Sequence, residues 1–376
     1  MDPLYCSCPV TCHAFLNFNA WLIVVHSTQL FSRRNPLMNI EIITTPNEAL
    51  KESGFGSLTA CNSVLKAVQE MGHSVSLNIC QTKNDLNEVV KRKPDLVIPA
   101  VKYIPVSYNV DIWLSEYLAV HEINFTGSSR EVLKYDSNKV LAKTHLSNKG
   151  IRTANYFIAI PGQFKTENDL PFSFPLFLKP LDAANGNGID DQSFVTSFTE
   201  YESKISSLYT SFNQPVLAEE YLEGPEFTVA VIKMPDEKLT VSAVEAIAPR
   251  SGNGLRILGA QTKKDDSEEL VKIEDNEVSS RVTALAINAF NALGARDFGR
   301  IDIKTSKRGE CFFMEANLVP GMTYGSSYFP EACRIANGLA YDKVVELLIA
   351  GGIARASSTI PPTILPDADD KIACTL

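Results

Sequence analysis

The stretch Cys311–Thr323 constrains the fold and the chemistry of this chain more than any other. Its apolar residues predict a buried strand, which ends at the turn formed by Pro320 and Gly321. Residues two positions apart on a strand point to the same face, so Glu315 and Asn317 should project together. A carboxylate and an amide oxygen are suitable ligands for Mg²⁺. The strand therefore predicts one side of a metal site.

A second strand, at 299–303, repeats this pattern by placing Arg300 and Asp302 on one face. Three oxygen ligands and a guanidinium could hold Mg²⁺-nucleotide and neutralise a transferring phosphoryl group. For Arg300 and Asp302 alone, a half-solvated antiparallel strand explains the alternation as well. The Glu-x-Asn run is flanked by Phe-Phe-Met and Pro-Gly-Met, which is unusual for a solvent face. Together, the two strands favour a functional site.

Length and charge limit the classes of function. A chain of 376 residues exceeds the usual size of one core, so two or three domains are expected. The net charge of −9 and the lack of a basic stripe argue against a nucleic-acid partner. The apolar run 20–25 is too short to span a bilayer and no basic residue precedes it, so we expect no membrane role.

The cysteines and the first residues carry little function. Five of the eight cysteines have no partner at disulfide or metal spacing, which favours a reducing cytoplasm. The other three stand beside a histidine: Cys6, Cys8, Cys12 and His13. A metal knuckle there is the weaker alternative, because no second ligand cluster closes a tetrahedral site. We expect residues 1–37 to be an extension, disordered or a start-site artefact, and the folded protein to begin at Met38.

From Met38 the pattern alternates strand and helix, which predicts a parallel sheet with right-handed crossovers. The expected strands are 40–44, 75–80, 95–99 and a short one ending at 125–128, and the expected helices are 59–71, 86–91 and 112–120. Ligands of such sheets bind at the carboxyl ends of the strands. The loop 53–57 lacks the third glycine of a dinucleotide fingerprint, so a substrate-side loop and a plain turn both remain open.

Basic and small residues follow in the middle of the chain. The expected helix 138–149 places Lys139 and Lys143 on one face, where lysines are usually solvated. A strand carrying Lys179 leads into the loop 183–188, whose small residues could close over a phosphate or form a hairpin turn.

Acidic residues and a polar loop come next. Glu219 and Glu226 flank a hinge between two expected strands and could accept hydrogen bonds from adenine or ribose, although acidic residues at a hinge are often solvated. The glycine-rich run 245–266, with Arg256 and Lys263, is typical of a mobile loop over a site. Further helices are expected at 277–293 and 343–350, the second ending at Gly351 and Gly352, and the tail 354–376 is expected to be disordered.

Seven motifs in this order resemble the D-alanine–D-alanine ligase branch of the ATP-grasp superfamily. They are 126–128 (TGS), 138–139 (NK), 177–180 (FLKP), 219–222 (EEYL), 224–230 (GPEFTVA), 299–302 (GRID) and 315–323 (EANLVPGMT). The resemblance implies an α/β chain, α+β in its ATP-grasp part, with a Rossmann-like N-terminal domain. The implied parts are the extension 1–37, the N-terminal domain 38–135, the central lid domain 136–225, the catalytic domain 226–352 and a disordered tail 353–376. ATP would be gripped between the central and C-terminal sheets.

The resemblance also implies roles for single residues. For ATP, Lys139 and Lys179 would contact the phosphates, Glu219, Glu220 and Leu222 the adenine, and Glu226 the ribose. For the metal, Asp302, Glu315 and Asn317 would hold two Mg²⁺ ions, for which Mn²⁺ could substitute. For the reaction, Arg300 and backbone N–H groups near Gly321 would stabilise the acyl phosphate and the tetrahedral intermediate. The second substrate's carboxylate would bind Ser326 or Ser327, and the basic residue of the loop would be Arg256 or Lys263.

The reaction implied is the ATP-dependent joining of a carboxylate to an amine through an acyl phosphate. Two landmarks of D-alanine ligases are missing: Ser53 stands near the place of an early glutamate, and residues 101–107 replace a His-Gly loop. We therefore expect another amino acid or small carboxylic acid as substrate, as in dipeptide and natural-product ligases, including a mycosporine-type ligase. The alternatives are a true D-alanine–D-alanine ligase and a non-catalytic nucleotide-binding module. A homodimer is expected because relatives often pair.

Overall fold

A computed structural model of the protein describes residues 37–357, apart from 53, 108–109, 184–185 and 253. The predicted extension and the metal knuckle therefore lie outside the described residues, except for Leu37, and so do Ser53 and the tail from 358 onward. Within the described ranges, no helix combines the length and the apolar character needed to cross a membrane.

The first sheet contains three parallel strands in the order β2-β1-β3. They are β1 (Asn39–Thr44), β2 (Ser74–Ile79) and β3 (Leu96–Pro99), and the helices among them are α1 (Glu48–Glu52), α2 (Leu58–Glu70) and α3 (Lys83–Lys91). Ser57 starts α2 because its hydroxyl accepts a hydrogen bond from the backbone N–H of Ala60. Ile40 and Ile42 of β1 are buried. The parallel sheet predicted from strand–helix alternation is confirmed.

The segment after β3 differs from the prediction. A hairpin of β4 (Tyr103–Ser107) and β5 (Val110–Trp113) precedes α4 (Leu114–Val120). The helix predicted from Ile112 is wrong at its start, because Ile112 pairs with Ile104 in the hairpin. The strand predicted to end at 125–128 is reduced to a single bridge between Val97 and Phe125. Two helices, α5 (Arg130–Ser137) and α6 (Lys139–Asn148), lead to the second sheet.

The second sheet is antiparallel, in the order β6-β9-β7-β8. Its strands are β6 (Tyr156–Ala159), β7 (Leu176–Pro180), β8 (Phe194–Val195) and β9 (Val216–Glu220), and α7 (Phe198–Phe212) packs on it. The side chain of Tyr201 on α7 is fully buried among the apolar residues of this sheet.

The third sheet has five antiparallel strands in the order β12-β11-β10-β13-β14. They are β10 (Glu226–Lys233), β11 (Leu239–Ile247), β12 (Glu269–Lys272), β13 (Phe298–Thr305) and β14 (Cys311–Asn317). The helices here are α8 (Ala260–Lys264), α9 (Asn276–Leu293) and α10 (Tyr328–Asn337). On α9, Val282, Ala286, Ala289 and Phe290 recur at helical spacing and are buried, so one stripe of the helix covers the sheet.

The last helix, α11 (Tyr341–Ser357), runs through both glycines that were predicted to end it. A Cβ on Gly352 would lie 3.0 Å from Leu96 Cδ1, so glycine permits close packing against the first sheet. The prediction that the helix stops at Gly351 and Gly352 is therefore wrong, because the helix continues to Ser357. The predicted start of the disordered tail just after these glycines is wrong for the same reason. The extra turn carries Arg355, whose Nη1 donates to both carboxylate oxygens of Asp297 at 2.5 and 2.6 Å.

Truncating the chain after Gly352 is expected to lower the free energy of unfolding by about 3 kcal/mol. Asp297 is buried, and within the described part of the chain its carboxylate keeps one hydrogen bond without Arg355, from the Gly127 N–H at 2.7 Å. Urea unfolding measures the change, with a chain that ends at Ser357 as the control. Arg355→Met isolates the charge from the lost helical turn. Equal midpoints for all variants would show that this ion pair does not stabilise the fold.

Candidate functional site

Two cavities meet beside the third sheet. The first spans about 970 Å³, part of it open to solvent, between residues of β7 and β9 and residues of β10 and β13. The second spans about 2740 Å³, part of it open to solvent, and extends to Phe55 before α2 and to Tyr103 at the start of β4. The residues that line both cavities are Lys139, Ala183, Lys263, Glu315 and Tyr328. Charged groups therefore concentrate where a ligand in one cavity would meet a ligand in the other.

The two strands singled out from the sequence are neighbours. In the β13–β14 pair, Asp302 lies opposite Glu315 and Arg300 lies opposite Asn317. The register shifts between Asp302 and Ile303, because Ile303 pairs with Phe313. This bulge adds one residue to β14 just before Glu315 and re-aims the side chains there. All four predicted polar side chains thus come together at one end of the sheet.

Asp302 is held by three neighbouring side chains. Arg300 donates from Nε to Oδ1 at 3.0 Å and from Nη2 to Oδ2 at 2.9 Å. The Thr228 hydroxyl donates to Oδ1 at 2.7 Å, and the Asn317 amide donates to Oδ2 at 3.0 Å. Burial works against the charged form of Arg300, but Asp302 outweighs it and raises the pKa of the guanidinium. The guanidinium therefore stays charged, and hydrogen bonds fix both groups in place.

Glu315 is a half-buried carboxylate surrounded by cations. Its Oε2 lies 3.5 Å from Lys139 Nζ. Burial opposes its ionisation, but Lys139, Lys179 and Lys263 outweigh that effect and lower the pKa of Glu315 to about 2. The carboxylate is thus ionised throughout the physiological range, as a metal ligand must be.

The donor set fits a divalent cation of the Mg²⁺ type. Asp302 and Glu315 offer carboxylate oxygens, and the Asn317 side-chain oxygen is left over because its nitrogen donates to Asp302. Among the residues that the structure describes, no cluster of three or more His, Cys, Asp or Glu side chains forms a site on its own. A cation here would therefore also use phosphate or water oxygens, which is the usual way that proteins bind Mg²⁺.

Glu219 lies in the most buried charge cluster of the site. Its Oε1 is 2.6 Å from Lys143 Nζ and its Oε2 is 2.7 Å from Lys179 Nζ. Burial opposes its ionisation, but Lys143 and Lys179 outweigh it and lower the pKa of Glu219 to about 2. For Lys179, burial is likewise outweighed by Glu219 and Glu315, and its pKa is raised. The expectation that Lys143 is solvated is wrong, because this side chain is fully buried.

The other residues assigned to ATP lie around the first cavity, with one exception. Lys139 Nζ donates to the Ala183 carbonyl at 2.9 Å, and Glu226 accepts from Lys304 at 3.0 Å. Glu220 lines the cavity while its carboxylate accepts from Asn155. Leu222 is buried behind the lining.

The two candidates for the basic loop residue are separated. Lys263 lies at the junction of the cavities, with Nζ 5.0 Å from the ring centroid of Tyr328. Arg256 lines only the first cavity and donates from Nη1 to the Ala248 carbonyl. The position of Lys263 therefore suits a group that reaches a transferred phosphoryl.

The two candidate serines also differ. The Ser327 hydroxyl accepts from the Thr323 N–H at 2.8 Å, and a Cβ on Gly321 would lie 2.8 Å from that hydroxyl. Ser326 is exposed. Glycine at 321 thus lets the turn close on Ser327, which directly precedes α10 and lines the larger cavity.

Sequence reasoning missed Thr228, Lys304 and Tyr328. Thr228 could have been found, because it stands two residues after Glu226 on the same face of β10 and pairs with Asp302 in the register. Lys304 follows the same rule on β13, opposite Glu226. Tyr328 has no local signal, because its partners come from separate segments.

A family model described as "D-ala D-ala ligase C-terminus" matches residues 146–350, which is more than half of the chain. The chain belongs to the D-alanine–D-alanine ligase family. A D-alanine–D-alanine ligase of Aquifex aeolicus (strain VF5) is 28% identical over 295 residues, covering 78% of this chain and 94% of that protein. One of Methylacidiphilum infernorum (isolate V4) is 30% identical over 247 residues, covering 65% and 75%.

Solved structures of this ligase family show the same fold. A D-alanine–D-alanine ligase from Bacillus anthracis complexed with ATP has a TM-score of 0.66 at 21% identity, covering 85% of this chain and 99% of that one. The VanG D-Ala:D-Ser ligase from Enterococcus faecalis has a TM-score of 0.63 at 20% identity, with the same coverage. The ATP-grasp fold of the α/β class is thereby confirmed. This family member is an ATP-dependent ligase that forms a carbon–nitrogen bond, and its family implies the use of ATP and a divalent metal.

Proposed function

We propose that this ligase joins two small amino acids, with a pair of D-alanine molecules as the first substrates to test. The observation that carries the proposal is the junction of the two cavities, where Lys139, Lys263 and Glu315 line both spaces. A nucleotide in the smaller cavity could pass its phosphoryl group to a carboxylate in the larger one. The names of the relatives favour the D-alanine–D-alanine alternative over a dipeptide or natural-product ligase of mycosporine type.

Each group at the junction has a chemical task. The carboxylate of the first substrate attacks the γ-phosphoryl group of ATP, and the amine of the second then displaces phosphate from the acyl phosphate. Lys139 and Lys179 would hold the phosphates, and Arg300 would neutralise charge on the phosphoryl and acyl oxygens. Asp302, Glu315 and Asn317 would hold two Mg²⁺ ions, or Mn²⁺ in their place. The metal would supply charge neutralisation on the phosphate oxygens.

The first-substrate end of the larger cavity departs from the family pattern. In residues 101–107, which replace the His-Gly loop of D-alanine ligases, Lys102 is buried and its Nζ lies 2.5 Å from the Asp136 carboxylate. Asp136 also accepts from the backbone N–H groups of Leu318 and Val319, directly after Asn317. This pair fixes the turn after β14 rather than offering a free charge. The acid must therefore be identified by screening.

The experiment is ADP release by the full chain with Mg²⁺, screened against D-alanine, the L-amino acids and small acids in pairs, with products identified by mass. We expect ADP and a dipeptide with D-alanine alone. Turnover only with another pair would restore the broader prediction of a diverged ligase. No turnover with any pair would contradict the proposal and revive the nucleotide-binding module.

Ser327→Ala is expected to raise the KM of the second substrate by about tenfold or more, because a hydrogen bond to its carboxylate is lost. Ser326→Ala is the matched control and should leave that KM within about twofold, since this neighbouring side chain is exposed. Initial rates against the amine substrate at saturating ATP make the comparison. A larger effect at Ser326 would reverse the assignment.

Location and assembly remain predictions. The described cysteines Cys61, Cys80, Cys311 and Cys333 are free thiols, which supports a reducing cytoplasm. The homodimer is proposed from the family alone.

A further inference from the structure

We propose that Tyr328 is a positioning residue that holds the guanidinium of Arg300 and the ammonium of Lys263 at the junction of the cavities, and that Glu268 fixes Tyr328 in place. The inference rests on the proposed ligase function. It assigns a task to a residue that no sequence motif singled out.

Tyr328 lies where the two cavities meet. It is the first residue of α10, directly after Ser327, and its side chain lines both cavities. The ring centroid lies 5.0 Å from Lys263 Nζ and 5.3 Å from Arg300 Cζ. Both distances are within the range of a cation–π attraction. One ring therefore contacts two cations that come from separate segments of the chain.

There is a physical need for such a ring. Arg300 and Lys263 carry like charges and both act on Glu315, so each disfavours the approach of the other. An aromatic face attracts both cations without adding a charge that a phosphoryl group would have to oppose. Arg300 is further fixed by Asp302, whereas Lys263 stands on the short helix α8 with its ammonium group over the Tyr328 ring. The ring thus helps to orient Lys263, whose charge also acts on Glu315.

The hydroxyl group of Tyr328 has a partner of its own. It donates to Oε1 of Glu268, which lies just before β12. Burial, with Glu268 second, raises the pKa of Tyr328, so the hydroxyl stays protonated and remains a donor at neutral pH. Lys263 and Glu268 belong to one segment, 260–268, which contacts Tyr328 at its ring and at its hydroxyl. The contacts of the ring with Lys263 and of the hydroxyl with Glu268 hold this segment against the start of α10. We call these two contacts the latch.

The latch has a consequence for the reaction. The segment 260–268 borders the larger cavity, where Lys263, Lys264 and Glu268 are lining residues. If the latch is weakened, water should reach the acyl phosphate and hydrolyse it to the acid and phosphate. ATP would then be consumed without formation of the carbon–nitrogen bond. The ratio of ADP to ligated product reports this loss, and a purely structural role of Tyr328 would not change it.

The test compares Tyr328→Phe, Glu268→Gln, their double variant and Tyr328→Leu, with Tyr117→Phe as control. Tyr117 also donates its hydroxyl to a side chain, Asn87 Oδ1 at 2.6 Å, but lines neither cavity. For each variant, kcat, the KM of ATP, the ADP-to-product ratio and the unfolding midpoint are measured with the pair that the unchanged chain ligates.

We expect Tyr328→Phe to raise the ADP-to-product ratio about twofold to fivefold, because it removes the donor of the bond to Glu268. Glu268→Gln should raise the ratio less, because its amide oxygen still accepts the bond without the charge, and the double variant should match Tyr328→Phe. Tyr328→Leu should lower kcat about 30-fold with the KM of ATP within about threefold. The control should behave as the unchanged chain. If Tyr328→Leu does not fold, the two conservative variants decide the question.

Three results would overturn the inference if the unchanged chain still ligates its substrates. They are an ADP-to-product ratio of one in the conservative variants, additive effects in the double variant, and an unchanged kcat in a folded Tyr328→Leu. Failure of the unchanged chain to turn over any pair would overturn the proposed function and this inference with it. The two failures are therefore distinguishable.

Discussion

Glu219→Ala should lower the free energy of unfolding by about 3–5 kcal/mol, because it leaves two buried ammonium groups without their counter-charge. The Glu219 carboxylate is 1% exposed and lies within 2.7 Å of both Lys143 and Lys179. Without Glu219, the ammonium group of Lys143 would keep a long hydrogen bond to the Phe313 carbonyl at 3.3 Å, which does not replace the lost charge. Burial lowers the pKa of Lys143, so losing the carboxylate would favour a neutral amine. ATP binding should weaken too, because Lys179 loses the partner that orients it.

The stabilising effect of Glu219 should depend on pH in a defined direction. Its pKa is about 2 in the folded chain, against an ordinary value of 4.5. A lowered pKa means that the unfolded chain binds the proton first, so the contribution is present above pH 4.5 and is lost as the pH falls towards 2. The unchanged chain and Glu219→Ala should therefore converge in stability across this interval.

Urea unfolding at pH 7 and at steps down to pH 3 measures both effects. Glu220→Ala is the matched control, because the neighbouring carboxylate is half-buried and, among the described residues, accepts hydrogen bonds from Asn155 rather than from a buried lysine. This control should lose less than about 1 kcal/mol. If both variants lost the same amount, the buried cluster would not be the source of the stability.

The contrast between Glu219 and Glu315 shows what the sequence can predict. The faces of Arg300, Asp302, Glu315 and Asn317 follow from strand alternation, which is local, and the structure places all four together. The partners of Glu219 come from α6 and β7, far away in the chain. A carboxylate at a hinge looks solvated until those two lysines are placed beside it. Long-range ion pairs of this kind have no periodic signal.

The same distinction explains the errors at element ends. The pair Gly351 and Gly352 is typical of the end of a helix. The helix nevertheless continues through both residues, because the absence of a side chain at Gly352 allows close packing against Leu96. The hairpin before α4 was missed because Ile112 and its neighbours fit a helical pattern as well as a strand. Tyr328 was missed because both its cationic contacts arise only in the folded chain. The local sequence pattern thus predicts the strands of the site, whereas the ends of the elements and the contacts of Tyr328 depend on tertiary packing.

Glu315→Ala should reduce kcat by about 10³-fold while the chain stays folded. The Glu315 carboxylate is opposite Asp302 across the β13–β14 pair and faces the ammonium group of Lys139 at 3.5 Å. Its loss removes a proposed metal ligand and also leaves Lys139, Lys179 and Lys263 without a shared anion. Because the side chain is 31% exposed, its removal opens no sealed cavity, and the unfolding midpoint should change little.

Steady-state ligation across a Mg²⁺ titration distinguishes a lost ligand from a lost fold. Higher Mg²⁺ should restore part of the activity of Glu315→Ala, since Asp302 and Asn317 still offer oxygens to the metal. Glu310→Ala is the control, because Glu310 lies one residue before β14 and pairs with the exposed Arg152. It should keep full activity at every Mg²⁺ concentration. Full activity of Glu315→Ala would remove Glu315 from the metal site, and the chemistry would then have to rest on Asp302, Asn317 and Arg300.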